Sequence, residues 1–431
     1  MQNYFVFDLN KCVGCEACVV ACTLENGLQD PTPWRNIHTY NEAHLPGLPL
    51  FHFSLACNHC EQAPCMQNCP ANAFSRDAAS GAVIHHPEKC IGCKYCTWAC
   101  PFDAPKYNSI SGVVEKCTFC THRVQENQKP SCAQLCPTGA LDFSFADLTL
   151  DESEASSPVK VKVGSRIHTL ALRNTKGPEQ DLDLFLPHSL NKPNKKHFRK
   201  IKALHEWPLI VFTLLVTALV SIKTSFIQLP DAGNYYLFGF LLFAALMSTL
   251  HLGKKQRAWR ALLNVKSSWL SREIAILAMF GLLMLIQLFV TTVPYWLFAF
   301  VGLLLLFSID RLYDLATWQW PIKFHSAQTL WIGLSAIAML NAWIYLFGLV
   351  ALFRFILGFW HNYKLPENKN LFLFIGRLML LTTVVGMFLR LPFFVLLIVF
   401  LAGEIMQRIG FYQALQVASP QNDLKIKGIH N

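Results

Sequence analysis

From residue 205 to 412 the chain alternates long apolar runs with short polar breaks. The runs have the length of membrane spans rather than of helices buried in a small core. Seven stand out, at about 207–228, 235–252, 274–292, 295–309, 329–359, 371–389 and 392–409. One bilayer crossing takes about 20 apolar residues, so the fifth run is too long for a single span. Asn341 is its only polar break and no Gly-Pro turn marks it. The pattern therefore predicts seven or eight helices. Upstream, residues 159–174 (VKVKVGSRIHTLALRN) alternate polar with apolar positions. That period of two predicts a β-hairpin packed on the domain before it.

Composition sharpens the division. The chain is 53% hydrophobic and 15% charged, and all 16 cysteines fall within the first 150 residues. Four segments follow: a cysteine-rich domain at 1–150, an extension and basic linker at 151–204, an apolar anchor at 205–412 and a tail at 413–431. The linker brings Lys192, Lys195, Lys196, Arg199, Lys200 and Lys202 up to the first apolar run. It reads as a solvated joint that also meets anionic headgroups. The formal charge of +10 does not indicate nucleic acid, because the basic residues crowd beside apolar runs as topology signals do.

The cysteines form four groups of four. Cys12, Cys15, Cys18 and Cys22, and again Cys90, Cys93, Cys96 and Cys100, have the spacing C-x2-C-x2-C-x3-C. Cys57, Cys60, Cys65 and Cys69 widen one gap, and Cys117, Cys120, Cys132 and Cys136 hold a long one. Three closely spaced thiolates wrap three corners of a cubane, and the trailing fourth reaches the partner cluster of a ferredoxin-like pair. Pro70, Pro101 and Pro137 follow the last cysteine of three groups and stop regular structure at that corner. Zinc would use paired C-x2-C units rather than triplets with a trailing fourth, and disulfides would be strained at such spacings. Four oxidised cubanes would each add about −2, bringing the net charge near +2.

The stretches CVGCEACVVAC, CNHCEQAPCMQNCP, CIGCKYCTWACPFDAPKYN and KCTFCTHRVQENQKPSCAQLCPTGAL resemble the electron-transfer subunit of dimethyl sulfoxide reductase and its relatives, over about residues 1–145. The resemblance implies an α+β ferredoxin-like domain with four [4Fe–4S] clusters in two pairs. Groups one and four share one pair, and groups two and three the other. Crossed ligation then joins Cys12, Cys15 and Cys18 with Cys136, and Cys117, Cys120 and Cys132 with Cys22. Likewise it joins Cys57, Cys60 and Cys65 with Cys100, and Cys90, Cys93 and Cys96 with Cys69.

A second resemblance covers about 205–412. HEWPLIVFT, LHLG with Arg257 and Ala258, SREI, ATW and LAGEIMQR…FY look like the membrane anchor subunit of the same system. It implies an all-α bundle of eight helices, so the chain is expected to fuse two subunits usually made separately. Helix one crosses away from the clusters and helix two returns, which puts His251 on the cluster side. With eight helices Arg377, Glu404 and Arg408 share that half. The resemblance implies a quinol site at His251. Glu404 and Arg377 are ionisable groups inside apolar runs, where charge is costly and usually functional, and are expected to help it. Against this, Glu404 and Arg408 stand four residues apart and are equally able to pair with each other. Lys223 and Arg390 are expected to snorkel. His205, His325 and His361 sit at helix ends or in loops, so no haem is expected.

These features predict a membrane-anchored electron-transfer subunit for anaerobic respiration. It would oxidise quinol from the bilayer pool and pass electrons to a separate molybdopterin catalytic subunit. It would not itself reduce the terminal substrate. The alternatives are the equivalent subunit of a polysulfide, thiosulfate or tetrathionate system, or a plain anchor for a soluble redox partner. Residues 1–10 lack a basic start, a long apolar stretch and a twin-arginine pair, so the cluster domain is expected to begin in the cytoplasm. Positive charges before the first span and after the second place it on the cytoplasmic face of a bacterial inner membrane. Carriage to the periplasmic face by an exported partner is the competing arrangement.

Overall fold

The computed structural model describes residues 3–28, 32–41, 50–145, 163–170, 201, 203–227, 230–317, 320, 323–364 and 370–415. Most of the 151–204 linker, its basic run included, and the tail from 416 onward lie outside the described residues. The chain divides into two compact units between Phe198 and Arg199.

In the first unit, strand β1 (Tyr4–Asp8) buries alternate residues, with Phe5 and Phe7 almost fully enclosed, as the two-residue period of a strand requires. It pairs antiparallel with β8 (Leu141–Ser144) and parallel with β9 (Ile167–Leu170). Phe5 packs edge-on against Phe119 and Phe143, and Phe7 against Phe53. Alternation in 159–174 thus yields a third strand of the N-terminal sheet. The other arm of the expected hairpin lies outside the described residues. Because β9 pairs with β1, this unit runs past residue 150. Three hairpins complete it: β2 (Asn36–Tyr40) with β3 (Phe51–Leu55), β4 (Phe74–Arg76) with β5 (Val83–His85), and β6 (Lys106–Asn108) with β7 (Val113–Glu115). Five short helices stand on the cysteine loops: α1 (Ala17–Glu25), α2 (Pro64–Gln67), α3 (Tyr95–Ala99), α4 (Thr121–Gln125) and α5 (Ser131–Gln134).

The second unit is helical: α6 (Trp207–Thr224), α7 (Asp231–Thr249), α8 (Trp269–Phe289), α9 (Tyr295–Leu312), α10 (Thr329–Leu340), α11 (Ile344–Lys364), α12 (Leu371–Phe388) and α13 (Phe393–Ala414). Seven of these are 18 to 22 residues long and apolar enough to cross a bilayer, whereas α10 has only 12 residues. At 1.5 Å per residue an 18-residue helix reaches ~27 Å, close to the hydrocarbon thickness. Large apolar side chains such as Phe289, Phe359 and Tyr345 point outward, more than two-thirds exposed. An outer surface of that kind suits lipid. The chain is a multi-pass membrane protein.

The long fifth run is two helices. Ala342 adopts φ 54 after α10. Its N–H bonds the Met339 carbonyl, and the Trp343 N–H reaches back to Ala338. This is a Schellman ending with alanine where glycine is usual. Asn341 supports the turn, donating to the Ile337 carbonyl and accepting from the Phe226 N–H. Helix α6 packs on α7, α9, α10 and α13, and its Val216, Leu219 and Val220 are fully buried. Helices α12 and α13 approach backbone to backbone at Gly376, where a Cβ would come within 2.6 Å of the Gly403 carbonyl oxygen. Small residues permit such contact between membrane helices. It sets Arg377 level with the Glu404–Arg408 segment.

Candidate functional site

The two regular cysteine loops have the same backbone. Gly14 and Gly92 both take φ 71, and Glu16 and Lys94 follow at 59 and 63 before α1 and α3. The positive φ explains the glycines, which avoid a Cβ clash there. Each loop winds tightly around its thiols, so amide groups face sulfur. The Gly92 N–H donates to Cys90 Sγ at 3.4 Å and the Phe119 N–H to Cys117 Sγ at 3.4 Å. The Ala73 N–H donates to Cys69 Sγ at 3.3 Å and the Leu141 N–H to Cys136 Sγ at 3.4 Å.

None of the sixteen cysteines is in a disulfide. Twelve are buried, Cys12, Cys93 and Cys136 are partly so, and Cys15 is exposed. Burial pushes the Cys22 thiol up to about 12, and raises Cys60, Cys65, Cys93, Cys96 and Cys117 as well. After burial, nearby thiolates add to the rise, and these neighbours reveal which groups meet. Cys12 feels Cys18, Cys136 and Cys15. Cys117 feels Cys22, Cys57, Cys120 and Cys132. Cys60 feels Cys57, Cys100 and Cys65, and Cys96 feels Cys93, Cys69, Cys90 and Cys65. The trailing cysteine of each group therefore lies among the leading three of another. Thiols so placed ionise only if a cation compensates them, and iron does so outright. Among the described residues no three His, Cys, Asp or Glu side chains converge on one mononuclear metal ion. The donor set fits iron–sulfur clusters.

The helical unit buries a second polar constellation. Arg354 makes a bidentate pair with Glu404, Nη1 to Oε1 at 2.5 Å and Nη2 to Oε2 at 2.7 Å. It also donates to the Ser326 carbonyl and to Ser335 Oγ. Arg377 Nε donates to Ser326 Oγ at 3.0 Å, so Ser326 joins the two arginines. The alternative pairing of Glu404 with Arg408 does not occur. Arg408 donates to Thr213 Oγ1 and the Ala327 carbonyl, and lies against Tyr313, Phe411 and Tyr412. Its charge faces Glu273 and Asp310. Asp310 caps α10, accepting from the Thr329 and Leu330 N–H groups.

Arg354, Glu273 and Asp310 were absent from the sequence prediction, although the signal was there. Each is a charge inside or beside an apolar run, the criterion that singled out Glu404. Lys223 also departs from expectation. It is nearly buried and does not snorkel, because Asn234 and Gln287 accept from its Nζ at 2.6 and 2.8 Å. His325 and His361 do sit in a loop and in a last helical turn, yet both are buried, with ring centroids 5.0 Å apart.

His251 follows the C-cap of α7, half-buried, just before the 3-10 turn Lys255–Leu262. Helix α7 packs on α6 and α8, whereas Glu404 and Arg377 belong to α13 and α12. The structure thus brings Glu404 and Arg377 into one network through Arg354 and Ser326, while His251 stands beyond the end of α7. A cleft of about 890 Å³ opens between α6, α7, α10 and α13. Its walls are apolar apart from a few groups, Ser221 and Glu404 among them.

Comparison with known proteins agrees with both halves. Residues 48–146 match a 4Fe-4S dicluster domain and residues 201–346 the DMSO reductase anchor subunit. Over 205 residues the sequence is 34% identical to a component of the anaerobic dimethyl sulfoxide reductase of Haemophilus influenzae, covering 45% of this protein and 91% of that one. It is 34% identical to a component of the sulfite dehydrogenase of Allochromatium vinosum, covering 38% of this protein and 77% of the relative. It is 39% identical to the thiosulfate reductase electron transfer subunit of Salmonella typhi, covering 36% and 79%.

Proposed function

Because this polypeptide belongs to the family of the dimethyl sulfoxide reductase iron–sulfur subunit and continues into that system's membrane anchor, we propose that it oxidises quinol in the bilayer and delivers the electrons to a molybdopterin catalytic subunit. The observation that carries the reading is the union in one polypeptide of sixteen free cysteines, twelve of them buried, with an apolar bundle. Four [4Fe–4S] clusters would be held as the spacing suggests, each by three cysteines of one group and the trailing cysteine of another. Such clusters, when bound, carry single electrons. The protein's own part is to exclude water with Phe5, Phe119 and Phe143, to direct amide N–H groups at sulfur, and to take up the protons that quinol releases. His251 is the proton acceptor in this reading, since an imidazole titrates in the right range and can pass the proton on. Both oxygens of Glu404 are engaged by Arg354, so Glu404 and Arg377 serve by holding the neighbouring charges in place. No haem belongs to this reading. Purified protein should contain about 16 iron atoms per polypeptide, four per cluster. A content near eight, or a three-iron EPR signal in native protein, would reject the four-cluster assignment.

The positive residues after α7, from Lys254 to Arg272, against none between α6 and α7, favour a cytoplasmic cluster unit on a bacterial inner membrane. Cysteine labelling in intact spheroplasts tests this: protection of the first unit is expected, and labelling from outside reverses the assignment. A second reading shares the module but changes the chemistry. Likeness to components of sulfite dehydrogenase and thiosulfate reductase supports an inorganic sulfur substrate, with sulfite oxidation running electrons toward quinone instead. Identifying the co-purifying catalytic subunit separates the two.

A further inference from the structure

Arg35 is fully buried in the first unit, on the approach to β2. Its Nη1 donates to Ser54 Oγ at 2.9 Å, and its guanidinium lies over Phe5, 5.1 Å from the ring centroid. Among the described residues its Nε and Nη2 have no hydrogen-bond partner, and no carboxylate pairs with it. The negative groups that favour its charge are the thiolates of Cys132, Cys18, Cys117 and Cys22, two from the first cysteine group and two from the fourth. An unpaired cation is not kept dry without a counter-charge. Lys116, the buried lysine of the same unit, shows the contrast: it gives its protons to the Val83 and Cys117 carbonyls.

Ser54 extends the arrangement. Its oxygen accepts from Arg35 and stands 3.4 Å from Cys18 Sγ. With Arg35 Nη1 donating to its oxygen, the hydroxyl can direct its own proton at the sulfur. A hydrogen bond to a ligand sulfur and a nearby positive charge both favour the reduced, more negative cluster. We propose that Arg35, acting directly and through Ser54, raises the reduction potentials of the clusters held by the first and fourth cysteine groups. This rests on the cluster assignment above and adds a residue that no cysteine pattern reveals. Arg35 is a potential-setting residue, not a ligand.

The experiment is potentiometric titration of the EPR signals in purified full-length protein, with iron content measured on each sample. Arg35→Gln should keep its iron and lower at least one midpoint so that the reduced-to-oxidised ratio at fixed potential falls about tenfold, equivalent to ~59 mV for one electron. Arg35→Lys, which keeps the charge, should stay nearer wild type. Ser54→Ala should shift in the same direction by less, and in one cluster only. Unchanged midpoints in fully loaded Arg35→Gln protein, or an upward shift, overturn the proposal. If Arg35→Gln fails to load iron, Ser54→Ala decides: a downward shift supports the proposal and no shift overturns it. Failure of the cluster assignment would look different, as a low iron content already in wild type.

Discussion

Replacing His251 with alanine is expected to cut quinol-dependent electron delivery by about 100-fold or more, while reduction of the acceptor from an artificial dye that bypasses the quinol site survives. The size follows from the role. Removing a positioned general base commonly costs 10²–10⁴-fold, and quinol must shed two protons with its two electrons. The dye needs no proton acceptor at the anchor, so its rate reports whether the rest of the assembly is intact. The position suits the task. His251 is half-buried just beyond the last turn of α7, a helix long and apolar enough to cross a bilayer. A helix-end histidine that only supports the local backbone makes a different forecast, since its loss would lower both activities together through poor folding. Persistence of both activities would move the quinol elsewhere. The apolar cleft between α6, α7, α10 and α13 is then the place to look, with Leu214→Trp as the obstructing change.

The cluster unit was legible because its signals are local. A C-x2-C-x2-C-x3-C stretch must wind tightly around its metal, and its glycines at φ 71 follow from that winding. Strand β9 was legible as an alternating strand, but its parallel partner β1 is over 150 residues away and nothing local points to it. The span count stayed open for a specific reason. The break after α10 uses Ala342 in the left-handed region and an Asn341 side chain tied to α6's far end, so no glycine or proline announces it. Arg35 was hidden for a similar reason, since a single arginine in PTPWRN carries no pattern and its meaning comes from the folded cysteines around it. The charges in the bundle were visible one by one, but their pairing was not. Spacing suggested Arg408 for Glu404, and tertiary packing supplied Arg354 instead.

That pairing makes the second large prediction. Arg354→Met should destabilise the bundle by about 3–5 kcal/mol, the cost of leaving a buried carboxylate without its partner. Against a typical total of 5–15 kcal/mol this is enough to reduce the folded fraction in detergent severely, read as a lower melting temperature and loss of monodisperse protein. The Ser326 carbonyl and Ser335 hydroxyl lose their donor in the same step, and Arg377, which shares Ser326, loses part of its frame. The double change Arg354→Met with Glu404→Leu removes both charges and fills the space with apolar atoms. Replacing a buried pair in this way is often neutral or better, so the double variant should recover most of the stability that the single one loses. Its quinol-dependent rate should then stay within about tenfold of wild type, because in the proposed reading the Glu404 carboxylate serves as the counter-charge of Arg354, bound through both oxygens, and His251 takes the proton. A single variant as stable as wild type would mean that the pair is hydrated and cheap to break. A stable double variant that has lost quinol oxidation but keeps dye activity would return Glu404 from scaffolding to the proton path.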